Sequence, residues 1–406
     1  MLDTPKGNRL HIAIFGKTNS GKSSLINSIT GQEIAIVSDI AGTTTDPVSK
    51  AMEILPIGPV LIIDTAGLDD NTELGSLRVK KSYEVLAKAD IVLLVVDAHY
   101  NKLSKAEEQL IKELKAKKIP YLIVLNKIDA QQQLDFENFI QAVGVDRVVF
   151  VSAKENVGIE GLKEVIVNIA QEKEEDIGLL EELVKAKDLV VLVTPIDSAA
   201  PQGRLILPQV QVLRDILDRD AMAVVVKEQQ LEQVLKTIVE PPKLVITDSQ
   251  VFNYVDSILP KDWPLTSFSI LFARQKGNLD VLIKGAEAIE ALKEGDRILI
   301  AEACTHYRTH EDIGTIKIPH MLEKHCQKNF NFEHVIGYNF NENLNNYALI
   351  IHCGACMLNR ANMLTRLKRA QLAGVPMVNY GLLIAYLNGI LARSIEPFMK
   401  TTKRGV

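Results

Sequence analysis

His11-Ile-Ala-Ile-Phe15 runs without a break into Gly16-Lys17-Thr18-Asn19-Ser20-Gly21-Lys22-Ser23-Ser24, an apolar stretch followed by a glycine-spaced polar turn. The spacing is G-x-x-x-x-G-K-S, the P-loop, in the strand–loop–helix setting that the motif requires. Its glycines let backbone N–H groups close around phosphates at a helix N-terminus, where the dipole already favours anions. Gly16, Asn19, Ser20, Gly21, Lys22, Ser23 and Ser24 are therefore the expected phosphate cradle. Lys22 is expected to reach the β and γ phosphates and Ser23 to bind Mg²⁺.

Further strands carry the rest of a nucleotide site. Val60-Leu-Ile-Ile63 leads into Asp64-Thr65-Ala66-Gly67, where Asp64 is expected to hold Mg²⁺ through water and Gly67 to sense the γ-phosphate. Tyr121-Leu-Ile-Val-Leu125 ends in Asn126-Lys127-Ile128-Asp129, and a carboxylate at Asp129 can accept both the N1 and N2 hydrogens of guanine. Adenine lacks that donor pair, and a site built on hydrogen bonds discriminates strongly against a base that leaves them unmade. Ser152-Ala153-Lys154 follows the strand Val148-Val-Phe-Val151 and reads as the loop that meets the guanine O6 through backbone. The four motifs in this order predict a GTPase with Lys22, Asp64 and Gly67 in catalytic roles.

Two departures refine that expectation. Leu68 follows the Asp-Thr-Ala-Gly turn, where Ras-like proteins carry a water-orienting Gln, so unaided hydrolysis is expected to be slow. Asn19 and the segment Gly42-Thr43-Thr44-Thr45-Asp46 resemble the TrmE–Era branch of GTPases. That resemblance implies Thr44 as the catalytic switch threonine on Mg²⁺ and Asn19 as a potassium ligand. Asn19 could instead simply tie the loop down.

With 406 residues the chain exceeds one ordinary core, and two or three domains are expected. A hydrophobic content of 47% with 24% charged residues describes a globular chain. No apolar run reaches the ~18 to 20 residues of a membrane span, and the N-terminus lacks an apolar signal core, so a cytoplasmic location without membrane partners is expected. Four cysteines are too few for a disulfide framework. A net charge of −5 argues against a nucleic-acid partner.

The fold class expected is α/β in three domains: a P-loop GTPase fold over residues 1–172, then two smaller α/β domains with mostly parallel sheets, 178–262 and 263–406. In the second, strands at Leu189–Val193, Ala221–Val226 and Leu244–Thr247 alternate with helical patterns, and its small size suggests dimerisation. Its loop Asp197-Ser-Ala-Ala-Pro-Gln-Gly203-Arg204 reads as a helix cap that could also meet an anion.

Three of the four cysteines follow apolar runs of the last domain. Cys304-Thr305-His306 comes after Arg297-Ile-Leu-Ile-Ala301, and His352-Cys353-Gly354-Ala355-Cys356 comes after Tyr347-Ala-Leu-Ile-Ile351. Loops at the carboxyl ends of strands in an open α/β sheet collect ligands, so three thiolates are expected at one mouth. Soft sulfur suits a 4Fe–4S cluster or a Cys₃His zinc site equally, and a redox dithiol or buried free thiols are the plainer alternatives.

Cys304-x-His306, 45 intervening residues and His352-Cys353-x-x-Cys356 resemble the C-x-H…H-C-x-x-C signature of the HydF family, GTPases that mature FeFe-hydrogenase. The resemblance covers the chain from G domain through dimerisation domain to cluster domain. It implies a 4Fe–4S cluster on Cys304, Cys353 and Cys356 and a homodimer or higher assembly. It further implies a scaffold that receives a diiron precursor from the radical enzymes HydE and HydG and passes it to the hydrogenase. The fourth iron position stays open among His306, His352 and carboxylates such as Asp312 or Glu302. The competing reading is a zinc-containing GTPase of the tRNA-modification or ribosome-assembly type.

Overall fold

The structure, a computed structural model, describes residues 6–31, 48–69, 73–100, 102–130, 139, 147–172, 178–196, 205–303, 313–337, 340 and 343–402. Contacts divide the chain into two compact units, Met1–Glu175 and Asp176–Val406.

The first unit is a six-stranded sheet. Its strands are β1 (Leu10–Gly16), β2 (Ser49–Ile54), β3 (Gly58–Asp64), β4 (Ile91–Asp97), β5 (Tyr121–Asn126) and β6 (Val148–Phe150), in the order β2-β3-β1-β4-β5-β6. All neighbours are parallel except β2, which runs antiparallel to β3. The central strands are apolar on both faces because helices cover both. These include α1 (Lys22–Thr30), α2 (Glu73–Leu86), α3 (Lys105–Lys117) and α4 (Ile159–Glu172). Ile12 and Ile14 join the core beneath α1 and α4, while Ala13 and Phe15 join the core on the opposite face, as the period of two dictates. Strand β2 was absent from the sequence expectation. Its alternating exposed and half-buried residues carry the signal, but the run Ser-Lys-Ala-Met-Glu is too polar to stand out.

The second unit holds two four-stranded sheets. One is built from β7 (Leu189–Val193), β8 (Met222–Val226), β9 (Leu244–Thr247) and β10 (Leu265–Ser267), ordered β10-β9-β7-β8. Its helices are α5 (Leu207–Asp218), α6 (Leu231–Leu235) and α7 (Phe252–Ile258), and α8 (Phe268–Lys276) leaves β10 directly. The other sheet follows α9 (Leu279–Glu287) and comprises β11 (Arg297–Glu302), β12 (Asn331–Ile336), β13 (Leu349–His352) and β14 (Met377–Asn379), ordered β12-β11-β13-β14. Helices α10 (Ile318–Cys326), α11 (Arg360–Leu372), α12 (Tyr380–Leu387) and α13 (Leu391–Thr402) complete it. Every pairing in both sheets is parallel, and one continuous hydrophobic core runs from Leu179 to Phe398 through both.

Counting parallel strands by their appearance in the chain, the first sheet has the order 2-1-3-4-5 and each of the other two 2-1-3-4. The chain starts in the middle, adds a strand on one side, then crosses to the other. That reversal opens a crevice between the loops that follow strands 1 and 3. The P-loop follows β1 in the first sheet. In the second sheet a cavity of about 400 Å³ has Pro195 and Ile196 after β7 and Ser249 to Val251 after β9 in its wall. In the third, Cys353 and Cys356 follow β13.

Helix α9 packs so closely on β14 that a Cβ on Gly285 would lie 1.9 Å from the carbonyl oxygen of Met377. Gly285→Ala must therefore push the helix off the sheet, and overpacking of this kind costs about 1–3 kcal/mol. A lowered unfolding midpoint for residues 176–406 in a denaturant titration is the expected result, with GTP affinity unchanged.

Candidate functional site

The nucleotide motifs meet at the carboxyl ends of β1, β3 and β5. Gly21 caps α1 with φ +89°, and a Cβ there would lie 2.2 Å from Asn126 Nδ2, so the P-loop and the base-reading strand touch only because this residue is glycine. Asn126 is buried and binds two loops at once: Nδ2 donates to Ser20 O (3.1 Å) and Oδ1 accepts from the Ala153 amide (3.0 Å). The Ala153 amide thus ties its loop to the strand end that carries Asp129. Ser152 Oγ donates to Asp129 Oδ1 (2.5 Å), and this hydrogen bond is the main cause that holds the Asp129 carboxyl below its ordinary range. Lys127 has φ +68° and pairs with Asp97 at the end of β4 (2.6 Å), while Lys154 is exposed.

The phosphate end is polar and partly buried. Lys22 Nζ donates to Gly16 O (3.0 Å) and Lys17 O (2.7 Å), curling over the loop's own carbonyls. Ser23 Oγ donates to Asp64 Oδ2 (3.3 Å), and Asp64 Oδ1 is buried with no hydrogen-bond partner in the structure. Burial pushes the Asp64 carboxyl up, against the pull of Lys22. A hydroxyl and an orphaned carboxylate oxygen side by side are a donor set that suits Mg²⁺. Asn19 takes a left-handed φ of +61°. Leu68 sits at the edge of the core with Ala13 and Phe15, where it has no means of orienting water, and its amide donates to Gly16 O (3.2 Å).

Sequence reasoning missed Asp69, whose Oδ1 accepts from both the amide (2.7 Å) and the hydroxyl (2.9 Å) of Thr18. Gly67 lies against the same threonine, since a Cβ on it would come within 2.3 Å of Thr18 Oγ1. The P-loop is thereby tied to the turn after β3. Thr44 lies outside the described residues.

The cysteine loop follows β13. Cys353 is buried, and its Sγ accepts the amide of Ala303 (3.1 Å), the last described residue before Cys304. The chain entering Cys304 therefore passes the sulfur of Cys353. Burial pushes that thiol up to about 11, opposed by amide donation from Ala303 and Ala355. A buried sulfur that attracts backbone N–H groups, with a second cysteine one turn away, is a donor set that fits an iron–sulfur cluster. Ala355 adopts φ +54° to make that turn.

His352 is fully buried. Its Nδ1 donates to Cys353 O (2.8 Å) and its Nε2 accepts from Arg366 (2.8 Å), an assignment forced because the carbonyl only accepts and the guanidinium only donates. Burial, with Arg366 beside it, pushes the imidazole down to about 3, so the ring is neutral. In this arrangement His352 offers no lone pair to a metal. As one of the candidates for the fourth position, it is here engaged in the frame of the loop instead. Glu302 is buried and accepts from Tyr380 Oη (3.1 Å). Cys304, His306 and Asp312, like the anion-loop residues 197–204, lie outside the described residues. Among those described, no group of three metal-ligating side chains comes together, and no helix is long and apolar enough to cross a membrane.

Family models match three stretches: a hydrogen maturase F dimerization domain over 179–277, a hydrogen maturase F tetramerization domain over 280–397, and a 50S ribosome-binding GTPase over 11–127. The two maturase models together span more than half of the chain. Among curated proteins, the tRNA modification GTPase MnmE of Cytophaga hutchinsonii is 38% identical over 168 residues, covering 40% of this chain and 35% of that protein. MnmE of Clostridioides difficile is 39% identical over 158 residues, 39% of this chain and 34% of that one. The chain thus spans about a third of the length of these relatives. Among solved structures, the G domain of the T. maritima FeoB iron transporter has TM-score 0.32 at 27% identity, covering 40% of this chain and 100% of that one. Aquifex aeolicus Era bound to GDP·AlF4⁻ has TM-score 0.36 at 21% identity, covering 61% and 97%.

Asp129→Asn replaces an acceptor by a donor where guanine offers hydrogens. Mispairing one such contact costs roughly 1–3 kcal/mol, about five- to 150-fold in affinity. Titration with GTP and xanthosine triphosphate should show the first weakened by that factor and the second strengthened.

Proposed function

The chain belongs to the HydF family of hydrogenase-maturation GTPases, and from that premise we propose that it carries a 4Fe–4S cluster on Cys304, Cys353 and Cys356 and serves as scaffold for a diiron precursor. The GTPase activity itself, GTP to GDP and phosphate, follows from the G domain. Lys22 and Ser23 with Asp64 bind the phosphates and Mg²⁺, Gly67 and Thr44 report the γ-phosphate, and Asn126, Lys127 and Asp129 read the base. Leu68 leaves water unoriented, so hydrolysis depends on an external group, with potassium at Asn19 as the first candidate.

The observation that carries the cluster reading is the Ala303 amide on Cys353 Sγ. It brings the segment that enters Cys304 alongside the Cys-x-x-Cys loop. A bound cluster supplies an iron corner that three thiolates leave unfilled. Backbone amides from Ala303 and Ala355 offset thiolate charge, and the chain's own candidates for the fourth position are His306 and Asp312. The diiron unit is a substrate in this reading, received from HydE and HydG and delivered to the FeFe-hydrogenase in the cytoplasm.

The sheet of β7 to β10 acts in dimerisation and the sheet of β11 to β14 in cluster binding; the boundary lies after β10 rather than at 262, because β10 pairs with β9. Strand β8 lies at the edge of its sheet and exposes Met222 and Val225, with Leu217 exposed on the preceding helix. An apolar edge of this kind is open to pairing with a second copy.

Anaerobic reconstitution with iron and sulfide tests the assignment. Cys304→Ala, Cys353→Ala and Cys356→Ala should each lose the brown absorbance near ~400 nm of thiolate-bound iron–sulfur clusters, while Lys22→Ala should abolish GTP hydrolysis and retain iron. Colourless wild-type protein with stoichiometric zinc would instead favour the zinc-GTPase reading.

A further inference from the structure

Lys276 ends helix α8 and is 5% exposed. Its Nζ donates to three carbonyls, Ala355 (3.3 Å), Cys356 (3.1 Å) and Leu358 (2.8 Å). All three belong to the one loop that carries the Cys-x-x-Cys pair. An ammonium has three N–H donors and no lone pair. Three carbonyl oxygens around one nitrogen therefore form a seat that matches an ammonium. Nζ also stands 5.3 Å from the centroid of the Phe272 ring, whose face favours a cation.

The helix that presents this charge is itself held. Ser267 caps its start by accepting from the Ile270 amide (3.3 Å). Asn379 donates to Ser269 O (2.9 Å), and Arg274 donates to Glu181 O (3.0 Å). The lysine head is thus placed by packed secondary structure rather than by a loose surface chain.

We propose that Lys276 is the positioning residue of the cluster loop: it fixes the backbone around Cys353 and Cys356 and sets a permanent positive charge beside the metal centre. The proposal rests on the cluster reading above. Its electrostatic consequence is a one-electron one. An external reductant such as dithionite adds one electron, hence one negative charge, to the bound cluster without making or breaking a bond. A fixed cation in a weakly screened interior lowers the energy of that more negative state. Net charge and hydrogen bonding around a cluster are the levers that set its potential, so Lys276 makes the cluster easier to reduce.

The test compares wild type with Lys276→Gln, Lys276→Met and Lys276→Arg, each reconstituted anaerobically. Iron per chain, the rate of iron loss to a chelator and the midpoint potential from a dithionite titration followed by electron paramagnetic resonance are measured. Gln keeps an amide donor but no charge, and its midpoint should move to more negative potential with iron largely retained. Met removes both and should also lose iron several-fold faster. Arg should return the midpoint toward wild type. A Gln variant with the wild-type midpoint overturns the charge role. Equal chelator resistance in Met overturns the clamp, and if Met does not fold, the same measurement on Gln against Arg decides it. Wild-type protein that takes up no iron overturns the cluster reading and this inference together.

Discussion

The constraint from which the rest follows is the direction change inside each parallel sheet. Parallel strands need right-handed crossovers, and a chain that begins in the middle must send successive crossovers to opposite faces. The loops after the first and third strands then diverge, leaving backbone amides and short side chains pointed into a crevice. This protein does so three times. One crevice receives the P-loop, one the cysteine loop, and the second sheet keeps a cavity walled by Pro195, Ile196, Ser249 and Gln250.

Loops at such crevices have few backbone partners of their own, and buried polar side chains supply them. Asn126 joins the P-loop to the Ser152–Lys154 loop through one amide group. Arg366 does the same for the third sheet: it donates to His352, to Asn362 Oδ1 and to Gly337 O while lying against the Phe340 ring. Satisfied networks of this kind specify one geometry, because any loss leaves a desolvated group unpaired. The rigidity of both sites is therefore carried by residues that touch neither phosphate nor metal.

The cysteine loop shows how environment sets chemistry. Without a positive partner, burial alone would keep Cys353 a thiol. Amides from Ala303 and Ala355 pull the other way, and they come from opposite sides of the loop, one from the end of β11 and one from the cysteine turn itself. His352 takes the opposite course. Adjacent in sequence to Cys353, it turns both nitrogens to backbone and arginine and becomes part of the frame.

The sequence by itself determined the local sites: the short apolar strand His11–Phe15, the glycine spacing after it, and the Asp-Thr-Ala-Gly and Asn-Lys-Ile-Asp turns each report a geometry enforced within a few residues. The central buried strands were legible for the same reason, since a run apolar on both faces has no other home. The polar edge strands β2 and β12 and the three-residue β10 were not, because an edge strand carries half-polar, half-buried residues that periodicity separates poorly from loop. Only the tertiary structure decided which residues hold the sites. Nothing near Lys276 distinguishes it from any lysine at the end of a helix, and nothing in His352-Cys353 says that the ring faces Arg366. Those roles arise from partners about 80 and 14 residues away, and long-range contacts exist only once the sheets have placed their loops.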